Sequence, residues 1–185
     1  IRLFAPLSER WYGLDISYVI DLWIWAFLLL GLLAPVIGRL VSSEIGAASG
    51  SGRGMAIIGL LLVFFYDSGR AFAHARAVAI LNSRIYEGVA PRRTAAIPAD
   101  SNPLRWRGIV EGSGFVKLYD MNLAADFDAD AAQTFYPPDN TAAIAAARAT
   151  PAVRTFLTFC QYPIWSAVPE SEVNPSTRVE VRDAR

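Results

Sequence analysis

Two aspartates near the beginning of the chain, Asp15 and Asp21, are the residues whose type and place best suit chemistry. Six positions apart, they would point about 120° from one another around a helix. Asp21 falls where an apolar run begins, and a carboxylate there is costly unless it faces protein or water. Read as a functional group, it is a metal ligand or an acid–base residue. Read as a structural one, it is a helix-start carboxylate that caps free N–H groups and complements the helix dipole. The catalytic residues are not identified by the sequence, and Asp15 and Asp21 are the candidates it offers.

The remaining reactive side chains form no set. His74 has Arg70, Ala71, Ala77 and Val78 three and four positions away, so it lacks a second metal ligand on its helix face and reads as a surface or interfacial histidine. Cys160 is the only cysteine, which excludes an internal disulfide and a cysteine zinc cluster. Beside Phe159 it reads as a small buried hydrophobe. The stretch Asp126–Asp130, DFDAD, lacks the sixth-position glycine and late glutamate of a calcium loop and reads as solvated. No Gly-rich phosphate loop, nucleophile elbow or Ser/His/Asp set is present. No metal site and no cofactor site can be assembled from these residues.

The elements that would position these groups begin with a membrane hairpin. Leu22 to Gly38 is uncharged, and a further turn over 16–21 brings the span to about 30 Å. Trp11, Tyr12, Tyr18, Trp23 and Trp25 crowd its first end, as amphipathic rings do at a membrane–water boundary. Pro35 is expected to kink or loosen the far end. Glu44 to Gly54 is small, flexible and polar, as a hairpin turn should be. Met55 to Tyr66 supplies the second apolar run, and its helical pattern continues to Leu81. One long helix is expected, half in the membrane and half emerging; the alternative is a short span followed by an interfacial helix. Asp67 and Arg70, three apart, are expected to neutralise each other, with Arg70 free to snorkel.

The arginines set the orientation. Arg39 and Arg53 flank the turn, whereas Arg70, Arg76, Arg84, Arg92 and Arg93 follow the second helix and Arg2 and Arg10 precede the first. By the positive-inside rule both termini are cytoplasmic. The partners expected are the lipid bilayer and other transmembrane subunits. Nucleic acid is not among them, because 17 basic residues balance 17 acidic ones.

The fold class expected is therefore a membrane α-helical hairpin plus a small soluble α+β domain with an antiparallel β-hairpin. The divisions are a pre-membrane segment at 1–15, the hairpin at 16–82 and a cytoplasmic domain at 83–185. In that domain Arg92–Pro98 suits an edge strand. Leu104–Val110 and Gly114–Leu123 suit two strands joined by EGSG. Trp106 is expected in the core with Leu104, Gly108 and Val110, opposite Arg105, Arg107 and Ile109. A helix capped by Asp139 or Asn140 follows. Thr150 caps the next helix, with Pro151 at its first position. Residues 161–168 and 177–185 suit closing strands around a loop rich in Pro, Glu and Asn. The chain starts at Ile1 in mid-pattern, which suggests a processed or truncated piece, and no signal peptide is visible.

Three stretches resemble the YdjM-like family, bacterial inner-membrane-associated proteins described as metal-dependent hydrolases. They are RLFAPLSERWYGLDISYVIDLWIW, SNPLRWRGIVEGSGFV, and the ending FCQYPIWSAV with TRVEVRDAR. The resemblance implies a divalent metal, an inner-membrane location and a soluble hairpin opened by an Asn-Pro-x-x-Trp-Arg strand. It also implies ligands in histidine- and aspartate-bearing helices upstream of Ile1, so this chain by itself is expected to be inactive. Asp15 and Asp21 match the family's acidic pair by position. The competing expectation is a non-catalytic structural subunit of a larger membrane complex.

Overall fold

The computed structural model describes residues 15–18, 20–45, 52–139, 141–169 and 177–185. The expectations on Trp11, Tyr12, Arg2, Arg10, Asn140, most of the hairpin turn and the loop at 170–176 lie outside them. The described elements are α1 (Leu22–Ile45), α2 (Arg53–Asn82), β1 (Arg93–Pro98), β2 (Arg105–Glu111), β3 (Val116–Asn122), β4 (Gln133–Phe135), α3 (Ala142–Ala149), α4 (Pro151–Phe159), β5 (Pro163–Pro169) and β6 (Thr177–Asp183). The strands order as β1-β2-β3-β4 in one antiparallel sheet, with β5-β6 as a separate two-stranded ribbon.

The chain divides into two compact units. One comprises Ile1–Ala77, Ala96–Trp106 and Asn122–Ala125; the other comprises Val78–Ala95, Arg107–Met121 and Asp126–Arg185.

The first unit is built on the helical hairpin. Of the extra turn expected over 16–21, the described residues are not helical, because α1 starts only after Asp21. Its Oδ1 accepts the Trp23 N–H at 3.1 Å while its carbonyl accepts the Trp25 N–H at 3.2 Å. That is an N-cap, and an N-cap residue is itself outside the helix. α1 gains its length at the other end, running through Pro35 to Ile45. At 1.5 Å per residue it is about 36 Å long and α2 about 45 Å, both enough to cross a membrane. α2 is unbroken, so the single long helix replaces the two-piece alternative.

The two helices approach closely at Gly31 and Gly59. A Cβ on Gly59 would sit 3.0 Å from the Phe27 carbonyl oxygen and 3.1 Å from Gly31 Cα. Any larger residue there would push the backbones apart, the logic of small residues at helix contacts in apolar surroundings. Nearer the start of α1, Phe27 and Tyr66 meet edge to face at 5.9 Å. Little else covers the helices: 6% of the most apolar stretch of α1 and 11% of that of α2 is buried.

The second unit has a core of Leu81, Tyr86, Ile109, Val110, Phe115, Tyr119, Met121 and Ile144. The β2–β3 turn closes where the sequence placed it, with the Gly112 N–H donating to the Phe115 carbonyl at 2.9 Å. Gly114 takes φ +92°, a conformation that side chains rarely adopt. The expected alternation on β2 holds only in part. Trp106, Gly108 and Val110 are buried and Arg105 and Arg107 exposed, but Ile109 is buried and Leu104 is 43% exposed. Side chains of both faces are therefore buried in the second half of β2, from Gly108 to Val110. Leu104 precedes the strand in a turn. β1 is an edge strand, as its composition suggests.

The sequence gives no hint of β4, which pairs antiparallel with β3 from Val116↔Phe135 to Leu118↔Gln133. The cap of α3 is Thr141, whose hydroxyl accepts the Ile144 N–H, rather than Asp139 or Asn140. Thr150 and Pro151 start α4 as expected. β5 and β6 pair antiparallel through seven partners, from Pro163↔Asp183 to Pro169↔Thr177.

Candidate functional site: a polar node around a buried arginine

The first unit gathers polar side chains where α1 begins and α2 leaves the apolar run. Asp21 is 3% exposed. The Tyr66 hydroxyl from α2 sits 3.0 and 2.9 Å from its two oxygens and donates its single proton to that carboxylate. With the Trp23 N–H on Oδ1, Asp21 both caps α1 and ties α1 to α2. Asp67, one residue beyond Tyr66, accepts from Ser17 Oγ at 3.1 Å. Asp15 is half-buried at φ 47°, a backbone conformation uncommon for any residue but glycine.

Arg70 departs most from expectation. It forms no ion pair with Asp67 and does not reach outward, being 1% exposed. Its Nε donates to the Ile16 carbonyl at 2.7 Å and one terminal nitrogen donates to the Asn102 carbonyl at 3.1 Å. Its guanidinium carbon lies 4.9 Å from the centre of the Trp106 ring. The second terminal nitrogen has no hydrogen-bond partner among the described residues. Two backbone carbonyls and an aromatic face thus replace the carboxylate that local spacing suggests. Carbonyl dipoles and ring quadrupoles stabilise a cation without a formal countercharge.

Beneath Arg70 lies the 101–106 turn. Ser101 Oγ donates to the Ile20 carbonyl at 3.2 Å and accepts the Leu22 N–H at 3.3 Å. Asn102 Oδ1 accepts the Leu104 N–H at 3.0 Å, and Trp106 Nε1 donates to the Pro103 carbonyl at 3.0 Å. His74 packs its ring 5.6 Å from that of Trp106. So Asp21, Arg70, His74, Asn102 and Trp106 share one unit, although they are scattered over more than eighty positions of sequence.

No family model, no curated protein and no solved structure matches this chain. The node must therefore be read from its own chemistry. Among the described residues no three of His, Cys, Asp and Glu lie close enough to share a metal ion. The Asp21 oxygens face a tyrosine hydroxyl and a backbone N–H, and Arg70 adds positive charge to the node. These residues do not fit a metal centre by themselves. What they can do is hold a carboxylate and a guanidinium in fixed positions.

The other candidates lie elsewhere. Cys160 ends α4, half-buried, and burial together with the negative Asp183 pushes its thiol up to about 11. A thiol raised in this way is a poorer nucleophile near neutral pH than an ordinary cysteine. In the Asp126–Asp130 loop the three aspartates are exposed, while the Ala129 carbonyl accepts the Tyr119 hydroxyl at 3.1 Å and Phe127 packs 5.0 Å from the Tyr119 ring. That loop anchors a core tyrosine. Sequence reasoning missed Tyr66, Ser17, Ser101 and Asn102 as members of the node. Only the Asn-Pro turn before Trp106 carried a signal, through the stretch that Asp15 and Asp21 accompany in the family resemblance.

Proposed function

We propose that this chain is the membrane-anchored part of a metal-dependent hydrolase of the bacterial inner membrane, non-catalytic by itself. The observation that carries the reading is the convergence at Arg70. Two of the three stretches that resemble the YdjM-like family, one with Asp15 and Asp21 and the other with Asn102 and Trp106, meet through its side chain and through Ser101. A shared sequence pattern that folds into one node is better support than the same residues lying apart. The node would brace the anchor against a catalytic set supplied by residues outside those described.

Elemental analysis tests this. Purified in mild detergent, the 185-residue chain is expected to carry divalent metal only at background, and the full gene product to carry it stoichiometrically. Stoichiometric metal on the 185-residue chain alone would overturn the division of labour. A second reading, a structural subunit of a larger membrane complex, is favoured by the open apolar surfaces of α1 and α2. It takes over if both preparations hold only background metal and a larger complex copurifies.

Combined with the arginine imbalance, the anchor reading gives an orientation with Glu44–Gly54 outside and residues from Ser83 onward in the cytoplasm. An impermeant maleimide on intact cells is expected to label a Ser49→Cys variant and leave Ser113→Cys silent until the membrane is broken. Both variants are made in a Cys160→Ser background, so that the introduced thiol is the one read. The opposite labelling pattern reverses the orientation.

A further inference from the structure

The second unit carries a cleft of about 340 Å³ that no reading above uses, lined by Arg107 of β2, Asp120 of β3, Gln133 of β4, Ile164 of β5, and Arg182 and Asp183 of β6. Its size is at the small end of ligand clefts, and its lining is mostly polar. Asp183 is already engaged: Oδ1 accepts the Tyr162 and Arg185 N–H groups at 3.3 Å, and Oδ2 the Gln161 N–H at 3.4 Å. Neither Arg107 nor Arg182 forms an ion pair within 4.0 Å among the described residues, unlike Arg105 with Asp100, Lys117 with Glu87 and Arg178 with Glu180. The Arg182 guanidinium lies 4.9 Å from the centre of the Phe135 ring, a cation–π contact that leaves its N–H groups without a carboxylate partner.

We propose that this cleft binds a phosphate group borne on a small polyol. Two unpaired guanidiniums in one concave site suit a phosphate, whose oxygens match the planar fork in bidentate fashion. Asp120 and Gln133 offer an acceptor and an amide to hydroxyl groups on the rest of the ligand. Asp120 also disfavours a ligand that is anionic throughout. A cleft of about 340 Å³ suits a short carbon backbone. The shared chemistry occurs in a soluble polyol phosphate and in the headgroup of a glycerol-bearing anionic lipid.

Calorimetry on the full chain in uncharged detergent, with glycerol 3-phosphate as the probe, tests the site. Saturable binding is expected, weakened about tenfold by Arg107→Gln or by Arg182→Gln and left unchanged by Arg154→Gln on α4, outside the cleft. Arg182→Lys keeps the charge and guards against a folding artefact; it is expected to bind more weakly than wild type and more tightly than Arg182→Gln. In nanodiscs, competition by phosphatidylglycerol but not phosphatidylcholine assigns the ligand to the lipid headgroup, and absence of competition assigns it to a soluble phosphate. No saturable binding, or equal loss in Arg154→Gln, overturns the proposal. The metal measurement above is unaffected by either result, so the two readings fail separately.

Discussion

Trp106→Ala is expected to destabilise the chain by about 3–5 kcal/mol, the range for truncating a fully buried tryptophan. Three losses act together. The side chain is 0% exposed, so its whole area returns to a cavity that its neighbours can only partly fill. The Pro103 carbonyl loses its indole donor at 3.0 Å. Arg70 loses the aromatic face beneath it, the one contact that compensates its charge without a backbone acceptor. Trp106→Phe separates these terms, since it keeps most of the area but not the N–H, and should cost roughly 1–2 kcal/mol. Denaturant unfolding of the detergent-solubilised chain, followed by circular dichroism, reads both variants. A loss below about 1 kcal/mol for Trp106→Ala, the range of surface changes, would mean that Trp106 does not sit where described.

Asp21→Ala should cost roughly 2–4 kcal/mol, from two sources that a cycle can divide. Removing an N-cap acceptor is worth about 1 kcal/mol, and leaving the Tyr66 hydroxyl without its acceptor adds about 1–3 kcal/mol. Tyr66→Phe alone should cost less, and the double variant should fall short of the sum by about 1 kcal/mol or more, the mark of direct coupling. Asp21→Asn keeps an oxygen that can cap α1 and accept from Tyr66, so it should retain most of the stability. If Asp21→Asn proves as damaging as Asp21→Ala, the charge itself is in use and the cap is the lesser part of its role. Strictly additive losses in the cycle would contradict the Asp21–Tyr66 bond.

The parts of this fold that were legible in the sequence are the ones set by nearby residues. Thr150-Pro151 starts a helix because a hydroxyl and a fixed φ act within one turn. The β2–β3 hairpin follows from glycines between two strand-like runs. The paired helices follow from two apolar stretches around a small polar linker. What was misjudged depends on partners far away. Asp67 and Arg70 satisfy every local rule for an ion pair, yet each is engaged by a residue about fifty positions upstream. Ile109 looked outward by alternation, yet it is fully buried, because what covers a strand's second face is not written in the strand itself. β4 is three residues long and carries no periodicity of its own; its place beside β3 defines it. Of the candidate site, Asp21 could be singled out from the sequence because carboxylates at the edge of apolar runs are conspicuous. Tyr66 and Asn102 could not, since an aromatic at the end of an apolar run and an asparagine before a proline are commonplace.

The carbonyls that receive Arg70 also set a timetable for biogenesis. Asn102 follows Arg70 by 32 positions. At synthesis rates of about 5–20 residues per second, the guanidinium waits roughly two to six seconds after it is made before that acceptor exists. For that interval α2 carries a cation whose destined acceptors are incomplete, and polar surroundings must hold it until they form. Closure of the 101–106 turn is then the event that withdraws the charge from solvent. A nascent chain stalled before Asn102 would present a bare arginine beside two apolar helices, a state distinct from the finished protein.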